Sequence, residues 1–264
     1  MGVSGRNAEV IARSLIRRWY TKIAVTDTGQ PWRCMNYGYL GPLPLPLTLT
    51  ADEEADRFAL QLYAMVLGAE DLSGLDLLEV GCGRGGGSAF AARHRSPRSV
   101  VGLDLIPEAI ALARQFHQGL ENLRFAVGDA EQLPFEAQSF DRVFNVESSH
   151  GYPNVARFYA EVARVLRPNG RFLYADFCRP EFLPVTRGLL DAAGFSLENE
   201  VNLTPNVLWS LAATDSIRRE AGARLPPDMQ ARYAEFAALE GSEAHRDFAT
   251  GRMHYFGLEL LLRK

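Results

Sequence analysis

Between Asp76 and Phe177 the chain alternates short apolar runs with stretches of helical periodicity, and nothing else in it constrains the fold as strongly. "DLLEV" (76–80), "SVVGLDL" (99–105), "LRFAVGDA" (123–130), "FDRVFNV" (140–146) and "RFLYADF" (171–177) read as five strands. "GGGSAFAARHR", "PEAIALARQFHQ" (107–118) and "NVARFYAEVARVL" read as helices, the second with proline at its first position, where the missing N–H is no loss. Strands joined through helices run parallel, and near-continuous Val, Leu and Phe runs imply burial on both faces. The spacing therefore predicts an α/β fold with a doubly wound sheet. "RPNG" (167–170) reads as a turn before the fifth strand. Further on, "LPVTRGLLDAAGF" predicts a helix ending at Gly194, "SLENEVNL" a sixth strand and "MHYFGLELLLRK" a last one.

Residues 204–250, between the last two strands, exceed an ordinary connection and carry helical patterns rich in Ala, Arg and Glu. They are expected to form a helical cap over the ligand edge. The expected domains are thus an arm or lid over 1–50, a core over 51–203 and 251–264, and the cap over 204–250. The first twenty residues read as an amphipathic helix, and "GPLPLPLTLT" (41–50), with three prolines in five positions, as an extended segment. A helix is expected to start near Ala51, with Asp52, Glu53 and Glu54 in its first turn, where the helix dipole favours acids.

A net charge of −4 argues against nucleic acid as a partner, and no stretch nears the ~20 apolar residues of a membrane span, so no membrane partner is expected either. Cys34, Cys82 and Cys178 are too few and scattered for a disulfide framework or a zinc site, which fits a reducing cytoplasm. A small-molecule acceptor is the expected partner, and an oligomer is possible.

"LEVGCGRGGGSAF" holds Gly81, Gly83 and Gly86 in the pattern G-x-G-x-x-G, which alone is a weak signal. Glycines there let the backbone turn sharply and approach a ligand closely at a helix N-terminus. Glu79, two residues before the first glycine, would repel a pyrophosphate but could accept hydrogen bonds from an ammonium. Asp104, ending the second strand, can take both hydroxyls of a ribose, and Asp129, ending the third, can accept from an adenine amino group. Leu105 and Ala130 beside them join the expected cofactor pocket. A ribose, an adenine and an ammonium-bearing chain together describe S-adenosylmethionine, leaving as S-adenosylhomocysteine. The bland readings are a ligand-free turn for the glycines and strand-end or capping work for the aspartates.

"LEVGCGRGGG", "VVGLDLIPEAI", "GDAEQLPFEAQSFDRVFNVESSHGYPN" and "VARVLRPNGRFLYADF" together resemble the class I S-adenosylmethionine-dependent methyltransferases, specifically over 77–177. More narrowly, the chain looks like the bacterial small-molecule O-methyltransferases, including the mycobacterial phthiotriolone and fatty-acid type and the rebeccamycin sugar type. The resemblance extends over 32–177 and is patchier in the cap. It implies a Rossmann-like seven-stranded sheet whose last strand runs antiparallel. It also implies that Asn145, at the tip of the fourth strand, lies along the methionine part of the cofactor.

His150 follows the fourth strand at the ligand edge. Methyl transfer from a sulfonium to an alcohol needs the acceptor oxygen held in line and its proton removed as the new bond forms. A histidine of pKa ~6.5 at that edge suits a general base. Asp176 ends the adjacent fifth strand and would orient the imidazole. In the rebeccamycin-type enzymes the matching histidine and aspartate are assigned to catalysis, which implies the same roles here. The alternatives are that His150 fills the loop or bonds the cofactor carboxylate, and that Asp176 caps the next turn. Glu147 either positions the substrate or bonds local backbone. His94, His117, His245 and His254 are expected on the surface, and no metal is expected. The aromatic segment "WRCMNYGYL" (32–40) and Leu208, Trp209, Leu211, Tyr233 and Phe236 of the cap are expected to enclose the acceptor. The expected function is O-methylation of a hydroxyl on a bulky, largely apolar small molecule such as a polyketide, lipid or glycosylated natural product. C- or N-methylation, a dinucleotide oxidoreductase and a non-methylating cyclase are the other readings.

Overall fold

The structure, a computed structural model, describes residues 18–23, 26, 32–43 and 45–263. Of the expected N-terminal helix over the first twenty residues only 18–20 fall within the described residues; they are helical, and the helix runs on to 23 (α1). The helices α2 (Arg57–Leu67), α3 (Gly86–His94), α4 (Pro107–Phe116), α5 (Val155–Val165) and α6 (Leu183–Ala192) alternate with the strands β1 (Asp76–Val80), β2 (Ser99–Asp104), β3 (Leu123–Val127), β4 (Phe140–Val146), β5 (Leu166–Cys178) and β6 (Phe195–Asn202). Then come α7 (Thr204–Ala223), α8 (Pro227–Phe236), α9 (Glu243–Ala249) and β7 (His254–Leu262). The seven strands form one sheet in the order β3-β2-β1-β4-β5-β7-β6. β1 to β5 pair in parallel, and β7 runs antiparallel to both β5 and β6.

Helices cover both faces. Phe158, Tyr159, Val162 and Val165 of α5 recur on one side of the helix and pack on Phe172 and Tyr174 of β5. Burying a side chain of this kind stabilises the fold by ~1.5–3 kcal/mol. The opposite face carries Leu62 and Leu67 of α2, Phe90 of α3 and Leu77 of β1. α5 starts where the Asn154 side chain accepts the Arg157 N–H at 3.1 Å. Asn154→Ala is expected to lower unfolding stability by about 1 kcal/mol, read from the urea midpoint at unchanged slope.

Three expected boundaries move, two of them because a side chain competes with the local pattern. The helix expected near Ala51 begins at Arg57, after a short 3₁₀ turn (Glu54–Asp56). Glu53, 4% exposed, is drawn inward instead, accepting from Thr50 N–H and pairing with Arg93 and His94 of α3. Asp129 does not end the third strand, which stops at Val127. Its Oδ1 accepts the Glu131 N–H at 2.9 Å, a local turn that replaces the ladder. β5 takes in the "RPNG" residues, with an irregular register between Phe140 and Arg142 and Asn169 at φ 63.

Candidate active site

The strand order reverses between β1 and β4, which opens a crevice at the C-terminal strand ends, where open α/β sheets hold ligands. A cavity of about 370 Å³ fills it, within the range of small-molecule sites. On one wall the chain leaves β1 through Gly81 (φ 75) and Gly83 (φ 54). A side-chain carbon at Gly81 would stand 1.9 Å from Ser148 Oγ, and one at Gly83 2.9 Å from Met35 Cε. Gly81 therefore needs glycine for conformation and for space, while at Gly83 the backbone conformation decides, because the tip of Met35 can move aside.

Asp104, Leu105, Asp129 and Ala130 line the same wall. Asp104 Oδ2 accepts the Gly83 N–H at 2.8 Å and Oδ1 accepts the Ile106 N–H at 2.9 Å. These bonds fix the carboxylate between β1 and β2, and each oxygen keeps a lone-pair direction for a ligand. Burial pushes its pKa up despite those N–H groups. Glu79 and Asn145 lie behind the wall rather than on it. Glu79 Oε2 accepts from the Ser88 hydroxyl, while Oε1 has no hydrogen-bond partner among the described residues. Burial pushes that carboxyl up to about 8. Asn145 Nδ2 donates to Val80 O at 2.7 Å and Tyr152 Oη at 3.2 Å, and its Oδ1 likewise has no partner among the described residues.

The second wall grows from the tips of β4 and β5. Val146 and Ala175 pair in register, and the Glu147 N–H donates to Ala175 O at 2.8 Å. Glu147 then turns the chain at φ 52, a left-handed conformation costly for a residue with a side chain. The short 3₁₀ turn that follows (Ser149–Gly151) carries His150 over Asp176. His150 Nδ1 lies 2.8 Å from Asp176 Oδ1, and the His150 backbone N–H donates to Asp176 Oδ2 at 3.0 Å. Asp176 Oδ2 also accepts the Ser149 hydroxyl at 2.6 Å, and Oδ1 accepts the Phe177 N–H at 2.9 Å. Asp176 is 1% exposed, whereas 28% of the His150 side chain stays open and borders the cavity. Phe177 stacks on the imidazole with centroids 4.4 Å apart. With Nδ1 committed to a carboxylate, a neutral ring carries its proton there and leaves the lone pair of Nε2 available.

The electrostatics follow from this crowding. Burial disfavours the imidazolium, but the charge and hydrogen bond of Asp176, aided by Glu147, outweigh it and raise the His150 pKa. Asp176 is held below its ordinary value: burial opposes ionisation, yet the imidazole, the Ser149 hydroxyl and the Phe177 N–H prevail. Glu147, also on the cavity wall, is pushed up to about 8 by burial, against the Tyr37 N–H, the His150 charge and the Tyr255 hydroxyl.

Tyr20 of α1, Met35, Tyr37, Tyr152 and Phe236 of α8 complete the lining. Sequence reading singled out the segment of Met35 and Tyr37 and missed Tyr20 and Tyr152, whose places depend on chain packing. Among the aromatic and leucine residues expected to enclose the acceptor from 204–250, only Phe236 lines this cavity. Leu211 is buried in the main core, Leu208 packs against that core, and Trp209 is 48% exposed. His117 is not a surface residue: it is buried, Nε2 donates to Arg84 O at 3.1 Å, and burial pushes its pKa down to about 4. His94 is half-buried against Glu53.

The wall suits an adenosyl sulfonium in three respects: glycines open a close backbone approach, a fixed carboxylate ends β2, and buried oxygens of Glu79 and Asn145 just behind have no partner among the described residues. A family model described as "Methyltransferase domain" matches residues 78–174. The phthiotriol/phenolphthiotriol dimycocerosates methyltransferase of Mycobacterium leprae (strain TN) is 38% identical over 224 residues, covering 84% of this chain and 82% of that protein. The chain belongs to the S-adenosylmethionine-dependent methyltransferases. The fatty-acid O-methyltransferase of Mycolicibacterium smegmatis is 45% identical over 148 residues, 56% of this methyltransferase and 53% of the relative. Among solved structures the [4+2]-cyclase SpnF superposes with a TM-score of 0.72 at 21% identity, over 94% of this methyltransferase and 95% of that chain. A cyclase on the same fold shows that the fold alone does not fix the chemistry; the assignment rests on the sequence relatives. It also sets aside the dinucleotide reading of the glycine loop.

Proposed function

We propose that this methyltransferase transfers a methyl group to a hydroxyl of a bulky, largely apolar small molecule, with His150 as general base and Asp176 as the group that orients it. The observation that carries the reading is the His150–Asp176 pair: a 2.8 Å contact at Nδ1 behind the ring, and an open ring edge on the cavity wall in front. Bound in the cavity, S-adenosylmethionine supplies an electrophilic methyl on a sulfonium. Gly81, Gly83, Asp104, Leu105, Asp129 and Ala130 would hold it, with Asp104 taking the ribose hydroxyls and Glu79 and Asn145 acting from behind the wall.

The chain's own part is positioning and proton transfer. An alcohol is far too weak an acid to ionise beforehand against an imidazole of reference pKa ~6.5. Nε2 therefore takes the proton as the acceptor oxygen forms its new bond, which is general-base catalysis. Asp176 keeps the ring in the tautomer that exposes Nε2 and balances the charge it gains. Met35, Tyr37, Phe177 and Phe236 make the acceptor side apolar and exclude water. A smaller cavity of about 90 Å³ adjoins the main one, sharing Met35, Asn36 and Phe236, and gives room for an apolar extension of the acceptor. In this reading residues 32–40 and α7 to α9 act as lid and cap.

A carboxylate acceptor is a second reading, favoured by the raised pKa of His150. An imidazolium at the same place would hold an acid, and one relative carries fatty acids in its name. Methylation with [¹³C-methyl]-S-adenosylmethionine and NMR of the product separates the outcomes. An ether methyl is expected; an ester methyl supports the second reading; a methyl on carbon or nitrogen removes both.

A further inference from the structure

Glu147 is a carboxyl group on the cavity wall that the mechanism leaves without a task. Its backbone is strained at φ 52, and its carboxylate lies between two elements distant in sequence. Oε2 accepts the Tyr37 N–H, from the segment 32–40, at 2.8 Å, and the Tyr255 hydroxyl of β7 at 3.0 Å. Tyr37 is tied down elsewhere too. Its carbonyl accepts the Ser210 hydroxyl of α7 at 2.8 Å, and its ring stacks on Phe177, the residue that stacks on His150. The segment thus reaches the base by two routes, one through aromatic packing and one through the Glu147 charge.

We infer that Glu147 is a positioning residue that couples docking of the 32–40 segment to the proton affinity of His150. The inference rests on His150 being the base. The physical link is reciprocal. A backbone N–H bonds an ionised carboxylate about twice as strongly as a neutral acceptor, so docking Tyr37 on Glu147 favours the ionised form. A carboxylate buried beside an imidazole favours the imidazolium. Docking over a bound acceptor therefore strengthens the base when a proton must be taken. Undocking weakens it, so the proton leaves before the next turnover. The charged and titratable groups facing the pair come from every side: Asp176 of β5, Tyr255 of β7, Arg218 of α7, Tyr20 of α1 and Tyr37 itself. Asp176 bonds the ring directly, and Glu147 and Arg218 both bond the 32–40 segment, Glu147 at the Tyr37 N–H and Arg218 at the Asn36 carbonyl (3.1 Å).

The test uses the full chain saturated with S-adenosylhomocysteine and no acceptor, so it does not depend on which molecule is methylated. NMR follows the His150 imidazole titration and the hydrogen exchange of the Tyr37 amide, corrected for its intrinsic pH dependence. In Glu147→Gln the His150 titration is expected to fall by about one pH unit, and Tyr37 exchange to quicken about tenfold. Glu147→Asp, which keeps the charge, restores part of both. A folded Glu147→Gln protein in which either reading is unmoved overturns the coupling while leaving the base assignment to stand or fall on turnover.

Discussion

His150→Ala is expected to lower kcat by about 10²–10⁴-fold, the usual worth of a positioned general base. Cofactor affinity should stay within a few fold, because the ring borders the acceptor side and Asp104 and the glycine loop hold the other wall. Asp176→Asn should fall between the two. An amide in place of Oδ1 or Oδ2 meets donors already in place, the Ser149 hydroxyl and the His150 and Phe177 N–H groups. It also removes the charge that raises the His150 pKa, so the acidic limb of the rate profile moves to lower pH. Rapid quench with saturating cofactor measures the chemical step. Near-unchanged rates in both variants would remove the base from the mechanism.

Asp104→Ala is expected to weaken S-adenosylhomocysteine binding by about 10²–10⁴-fold in calorimetry. Two charge-assisted hydrogen bonds to ribose hydroxyls at ~1.5–3 kcal/mol each amount to about 3–6 kcal/mol, which converts to that range. The loss includes the two N–H groups of Gly83 and Ile106 that the carboxylate now holds. Affinity within fivefold of the parent would mean that Asp104 only braces the glycine loop.

Much of this arrangement was legible in the chain because it sits on strand ends. β1 runs Asp76–Val80 as its apolar run predicts, and parallel strands bring Gly81, Asp104, Glu147 and His150 to one edge whatever the details of packing. Three misread parts share a cause, a partner far away in sequence. Glu53 abandons a helical first turn for Arg93 and His94. His117 is buried because the Arg84 carbonyl of the glycine loop receives its ring. Tyr20 reaches the cavity because Trp19 and Ile23 of its helix pack with Met229 and Tyr233 of α8. Local periodicity holds no trace of such contacts, and a lone tyrosine in an amphipathic run carries no distinguishing signal.

The most direct test of His150 as a base toward a hydroxyl is the pH dependence of single-turnover methyl transfer. A base must be neutral to act. The Asp176 and Glu147 charges raise the pKa of His150 above its ordinary ~6.5 against the pull of burial. Transfer should therefore rise with pH through a titration above that value and level off once the imidazole is neutral. In Asp176→Asn the rise should come at lower pH. A rate that falls as pH increases through the same range would contradict the account, because it would show that the imidazolium, not the imidazole, is the working form.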